Sequence, residues 1–112
     1  MDFICYNFYM KNKKLVNFKK AEFFQPRNQK EKNLVKAFLK LKTEKDIANF
    51  LRDLLTLAEI EEFANRLEVA RLLTQGLSYQ RIAEKTGVST TTVTRVAHWL
   101  FRGCGGYKKA LK

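Results

Sequence analysis

The sequence predicts an all-α protein, with helices running from Asn28 to the C-terminus. Three observations support this fold class. Apolar residues recur at helical spacing, polar capping residues stand ahead of the apolar stretches, and glycines follow several of them. No alternating strand pattern and no internal repeat occurs. With 112 residues, the chain has room for one compact domain around one core.

Capping signals place the first three predicted helices. Each begins with a polar residue that is followed three residues later by an acidic one: Asn28 and Glu31, Thr43 and Asp46, Thr56 and Glu59. The third helix is the longest, running to about Gln75 before Gly76 ends it. Its apolar residues cover more than one face, so we expect a second subunit to bury part of it.

Residues 78–102 form the most informative stretch, which predicts two short helices joined by a tight turn at Gly87. Glycine suits such a turn because a side chain disfavours a positive φ. Ser78 and Ser89 stand where each helix would be capped. The residues expected to hold the two helices together are Ile82, Ala83, Val88, Val93 and Val96. This pattern is typical of a helix-turn-helix whose second helix enters the major groove of DNA.

The distribution of charge favours a polyanionic partner. The net charge is +11. Residues 1–45 contribute +8 and residues 78–112 contribute +6, whereas residues 46–77 carry −3. Positive charge therefore surrounds the predicted helix-turn-helix and the segment that leads the chain, as expected for a nucleic-acid-binding protein. The simpler alternative is a lysine-rich surface of no particular function.

Residues 1–27 are expected to form a separate basic and aromatic arm, ahead of a helix-turn-helix domain at residues 28–112. The arm holds seven of the fourteen aromatic residues, interleaved with lysines, and shows no sustained period. Such a segment can stack on bases, although packing against its own protein or a partner subunit is the simpler expectation. Met10 is an alternative start.

Several classes of protein are disfavoured by what the sequence lacks. Cys5 and Cys104 are isolated, so we expect neither a disulfide framework nor a zinc site. The acidic cluster at Glu59, Glu61 and Glu62 is better explained by the helix dipole than by a metal. No membrane span, signal peptide or catalytic constellation is evident, which predicts a non-enzymatic, cytoplasmic protein associated with the nucleoid.

Residues 33–112 resemble the Trp repressor family, and within it the Trp-repressor-like YerC/YecD type. The resemblance rests on the order of a helical bundle, the motif GLSYQRIAEKTGVSTTTVTRV and the tail CGGYKKAL. It implies an intertwined homodimer with a Trp-repressor-like helical bundle, presenting two recognition helices to a two-fold-related operator. In that arrangement the half-sites lie about 34 Å apart.

The resemblance also implies a candidate effector pocket. Arg66 and Arg95 stand where two arginines sandwich the indole in tryptophan-responsive members, and Thr56 matches a threonine that helps to hold the amino acid. However, Val96 and Trp99 replace a glycine and a serine, which should fill the cavity and remove a polar contact. We therefore expect that L-tryptophan is not the corepressor, and no other cofactor is predicted.

The residues predicted to bind DNA lie at the starts of the two motif helices: Tyr79, Gln80, Ser89, Thr90, Thr91, Thr94 and Arg95. Hydroxyl groups can bond bases or phosphates, and a threonine methyl can contact a thymine methyl. Arg95 could instead pair with Glu84 or support Arg66. His98, the only histidine, is more simply a surface or interface residue than a phosphate contact. Trp99 and Phe101 are expected to be core or dimer contacts.

Lysine and arginine side chains would add non-specific attraction to DNA: Arg81, Lys85, Arg102, Lys108 and Lys109. These observations together predict a sequence-specific transcriptional regulator, expected to be a repressor, that binds operator DNA as a homodimer and needs no membrane. Two alternatives remain on the same fold. One is a protein-interaction module, and the other is a non-specific nucleic-acid binder dominated by the arm.

Overall fold

The computed structural model describes residues 23–112, and over this range the chain is helical without strands. The helices are α1 (Gln29–Leu39), α2 (Glu44–Leu54), α3 (Leu57–Thr74), α4 (Tyr79–Thr86), α5 (Thr90–Arg102) and α6 (Gly106–Ala110). The all-α prediction is confirmed for these residues. Most of the predicted arm, residues 1–22, lies outside them. The described chain divides into two compact units, residues 24–63 and residues 64–112.

In residues 24–63 the predicted caps are present. The side-chain oxygen of Asn28 accepts a hydrogen bond from the Glu31 amide (3.0 Å), which fixes the start of α1. Thr43 caps α2 in the same way. At the start of α3, Thr56 and Glu59 form a reciprocal pair, in which each side chain accepts a hydrogen bond from the other residue's amide (3.1 and 3.0 Å). Polar residues near each start therefore determine where these helices begin.

The apolar residues of this unit are poorly covered within a single chain. Phe38 and Phe50 make an edge-to-face contact, with ring centroids 5.3 Å apart, yet no residue between 24 and 63 is buried. Large apolar side chains remain exposed on α1, α2 and the start of α3: Leu34, Val35, Phe38, Leu39, Ile47, Leu54, Leu57 and Phe63. So many exposed large apolar side chains in one unit are unusual for a monomer.

In residues 64–112 the end of α3 packs with α4 and α5 around one core. Leu73, Val69, Ile82 and Val93 are its largest fully buried side chains. Ala70, Leu72, Val96, Ala97 and Leu100 complete the buried cluster. Ala83 and Val88 pack against it, as predicted from the motif. Tyr107 and Leu111 bring the C-terminal segment, including α6, onto the same core.

Glycines with positive φ end two of the helices. Gly76 (φ 94°) follows α3, which ends at Thr74, one residue earlier than predicted. Gly87 (φ 77°) is the left-handed C-cap of α4, and its amide donates a hydrogen bond to the Ala83 carbonyl (2.9 Å). Both positions favour glycine because other residues rarely adopt this conformation. Among the described helices, none combines the length and the apolar character that a membrane crossing requires.

Candidate nucleic-acid interface

Helices α4 and α5 are joined by residues 87–89, and local hydrogen bonds fix both sides of this turn. The Ser89 hydroxyl accepts a bond from the Thr92 amide (3.1 Å), so α5 begins where the sequence predicts. Ser78 caps α4 equivalently through the Arg81 amide (3.2 Å). The predicted pair of short helices with a turn at Gly87 is therefore present.

Thr86 makes two hydrogen bonds at the end of α4 that were not predicted from the sequence. Its hydroxyl donates to the Ile82 carbonyl (2.7 Å) and accepts a longer bond from the Val88 amide (3.4 Å). The last turn of α4 is thus connected directly to the turn that leads into α5. A threonine immediately before a helix-ending glycine was the available signal, since threonine hydroxyls often bond nearby backbone groups.

Helix α5 has one buried and one exposed side. Val93, Val96, Ala97 and Leu100 are buried, each at most 3% exposed. The predicted DNA-binding residues on this helix are all exposed: Thr90, Thr91, Thr94 and Arg95. Because residues three and four apart share a helix face, this alternation turns the threonine-rich surface away from the core.

The hydroxyl groups at the start of α5 are not equivalent. The Thr94 hydroxyl donates to the Thr90 carbonyl (2.9 Å), and the Ser89 hydroxyl is occupied with the Thr92 amide and hydroxyl. By contrast, the side chains of Thr90 and Thr91 make no hydrogen bond with any described residue. Thr90 and Thr91 therefore have the hydroxyl donors that an approaching ligand could use without breaking an internal bond.

The two predicted contacts on α4 have different surroundings. Gln80 is exposed in the first turn. Tyr79 is half-buried and packs against the core, so part of its ring has a structural role. Both follow the N-cap Ser78, and free amides at a helix N-terminus favour anionic groups such as phosphate.

Charges in residues 78–112 are mostly positive, with Glu84 as the one acidic residue, and a further carboxylate, Glu68, lies on α3. The Arg71 guanidinium donates to the Glu68 carboxylate (2.9 Å), and this bond lowers the pKa of Glu68. Burial opposes this shift, and the positive charge of Lys85 lowers the pKa slightly further. Lys85 therefore lies close enough to interact with an acidic group. Arg95 forms no ion pair with Glu84 in the described structure, which removes one alternative role for it.

The residues of the candidate effector pocket fall in both units. Thr56 belongs to residues 24–63, where its hydroxyl caps α3, while Arg66 and Arg95 belong to residues 64–112. Val96 is 2% exposed and belongs to the core, whereas Trp99 is 55% exposed with its ring edge-to-face against His98. Trp99 is thus not a core residue of the single chain. The pocket itself stays a prediction.

Evidence for metal binding is lacking over residues 23–112, where no group of three or more His, Cys, Asp or Glu residues is suitably placed. Glu59, in the predicted acidic cluster, is engaged in the cap of α3. The hydrogen bond from the Thr56 amide lowers the pKa of Glu59, and the Thr56 side chain lowers it further. This cap accounts for a carboxylate at that position.

Comparisons with known proteins agree with the sequence resemblance. The family model described as Trp repressor protein matches residues 29–112. The uncharacterized protein YerC of Bacillus subtilis (strain 168) is 42% identical over 78 residues, which cover 70% of this chain and 75% of the relative.

Two solved structures extend this agreement to the fold. A TrpR-like protein from Eubacterium eligens superposes with a TM-score of 0.71 at 38% identity, covering 75% of this chain and 87% of that chain. A candidate Trp repressor from Staphylococcus aureus gives 0.71 at 34% identity, covering 76% and 85%.

Proposed function

Since this chain belongs to the Trp repressor family, a family of DNA-binding regulators, we propose that it is a sequence-specific transcriptional repressor. It binds operator DNA of the nucleoid as a homodimer, through a helix-turn-helix formed by α4, the turn at residues 87–89 and α5. The recognition helix is α5.

The observation that carries this proposal is the two-sided character of α5. Its buried residues anchor it on Ile82 and the end of α3, so the helix is held rigidly. Its exposed side begins with Thr90 and Thr91, whose hydroxyl donors are available, followed by Arg95 one turn later. A rigid helix with short polar side chains at its start can approach base edges closely.

The dimensions and charge of this surface suit duplex DNA. The major groove is about 12 Å wide and admits a helix with its side chains. Residues 78–112 carry seven lysines and arginines against one acidic residue. Gln80, at the positive end of α4, is placed to bond the phosphate backbone.

The homodimer is supported by the exposed apolar residues. Neither α1 nor α2 has a buried residue, although Leu34, Val35, Phe38 and Leu39 give α1 an apolar side. Helices of this kind need a partner surface to offset the ordering of their side chains. A second copy of the chain offers the same apolar surface, as a two-fold interface requires.

The decisive experiment is competition binding. A site selected from a random library should be preferred over random duplex by about 1000-fold or more at physiological salt. Replacing Thr90 and Thr91 together with alanine should remove that preference, because hydroxyl and methyl contacts are both lost. The serine pair T90S/T91S keeps both hydroxyls and should retain most of it.

Two outcomes would contradict this function. Wild-type protein that binds random duplex as tightly as any selected site would indicate non-specific binding. A T90A/T91A protein with unchanged preference would exclude the start of α5 from base recognition.

A further inference from the structure

His98 lies in the middle of the side of α5 that points away from the core. Starting from Thr91, this outward side continues through Arg95, His98 and Arg102, at spacings of four, three and four residues. Residues at those spacings lie on one face of a helix. The buried residues of α5 occupy the opposite face.

The surroundings of His98 are cationic. Arg95 and Arg102 lie about one turn away on either side of it along the outward face. The other charged or titratable groups on elements that share this core are Arg66, Glu68 and Arg71 on α3, Tyr79, Arg81, Glu84 and Lys85 on α4, and Cys104, Tyr107, Lys108, Lys109 and Lys112 after α5. No carboxylate among the described residues forms an ion pair with His98, whose ring is in edge contact with Trp99.

Among the described residues His98 has no acidic partner, and arginines lie on either side of it, which points to an external anion. The position along the helix indicates which anion. His98 follows Thr91 by seven residues, or about 10 Å at about 1.5 Å per residue. The major groove is about 8.5 Å deep. If the start of α5 reaches base edges at the groove floor, His98 comes to the level of the phosphates at the rim. Arg95, about 6 Å from Thr91, stays within the groove.

We propose that His98 binds a backbone phosphate at the rim of the major groove. The imidazole donates one N–H hydrogen bond to a phosphate oxygen. This contact adds affinity without sequence information. The inference rests on the proposed DNA-binding function of α5.

The test measures the affinity of wild type and H98A for a selected operator and for random duplex, at one pH and over a range of salt concentrations. H98A should bind both duplexes about tenfold more weakly, because the dimer loses two hydrogen bonds to phosphate.

Two further substitutions separate the hydrogen bond from a general effect of truncation. H98Q keeps an N–H donor, so it should retain most of the wild-type affinity for both duplexes. H98K adds a positive charge at the same position and should steepen the salt dependence by about 1.8 for the dimer, or about 0.9 for each lysine. The matched control is N49A, which removes an exposed polar side chain in residues 24–63 and should leave both affinities unchanged.

The outcomes distinguish this inference from the proposed function. A wild-type protein that binds no duplex at low salt overturns both. Operator binding with an affinity that is unchanged in H98A, or that is weakened as much in H98Q as in H98A, overturns the role of His98 alone. An effect confined to the operator and absent from random duplex would contradict a phosphate contact, since phosphate contacts act on all sequences alike.

Discussion

The carbonyl oxygen of Trp99 accepts a hydrogen bond from the amide of Gly103, at 2.9 Å, where α5 ends. A β-carbon built on Gly103 would lie 2.2 Å from that same oxygen. Gly103 does not have a positive φ, so the need for glycine here comes from this close approach and not from backbone conformation. The end of α5 therefore depends on the absence of a side chain.

Substituting Gly103 with alanine should lower the free energy of unfolding by about 1–3 kcal/mol, because the backbone must move to admit the new methyl group. Urea unfolding followed by circular dichroism measures this. G106A is the matched control, since a β-carbon at Gly106 meets nothing within 4 Å. It should change stability by less than about 0.5 kcal/mol. Equal stability for the two variants would contradict the contact.

The cap of α3 should make stability depend on acidity. Because the Thr56 amide lowers the pKa of Glu59, ionised Glu59 favours the folded state. This contribution is complete above the ordinary glutamate pKa of 4.5 and is lost as the pH falls through the lowered value. The stability difference between wild type and E59Q should therefore shrink from pH 6 to pH 3.

Urea unfolding at several pH values measures that difference. E61Q is the comparison, because Glu61 accepts no hydrogen bond from residues 23–112. The difference in the free energy of unfolding between wild type and E61Q should change less from pH 6 to pH 3. A pH dependence as large in E61Q as in E59Q would show that general charge, and not the cap, is responsible.

Leu39 is 80% exposed in the single chain, so replacing it tests for a partner without disturbing a monomer core. If a second copy covers it, L39E should weaken dimerisation at least about tenfold, since a buried leucine contributes about 1.5–3 kcal/mol. Light scattering or analytical ultracentrifugation measures the change. N33E adds the same charge on the opposite side of α1 and should remain dimeric. A wild-type protein that is monomeric at high concentration would refute the dimer.

L-tryptophan should not bind at micromolar concentration. Val96 is buried in the core, where a family glycine would leave space, and Trp99 stands in place of a serine. Isothermal calorimetry with purified protein checks this expectation. W99S is the informative variant, because Trp99 is exposed and its removal leaves the core intact. It too should show no binding while Val96 remains, and saturable heat from the wild type would contradict the prediction.

Features that depend on neighbouring residues could be predicted from the sequence. The caps at Asn28, Thr43 and Thr56 each involve residues three positions apart, and the turn at Gly87 needs one residue with positive φ. The core of residues 64–112 was also foreseen in part, because Ile82, Val93 and Val96 recur at helical spacing. Such features are determined locally, by spacing and by the conformational range of each residue.

Residue spacing does not show which side chains are exposed or which hydroxyl groups are hydrogen-bonded, and the tertiary structure determined both. It determined that the Thr94 hydroxyl is occupied while those of Thr90 and Thr91 are available, and that Trp99 is exposed. It also placed His98 opposite the core and left no room for a side chain at Gly103. Sequence alone established the helices and the motif. The structure was needed to show which groups face outward. Their exposure depends on which face of each helix packs against the core and on side-chain conformation.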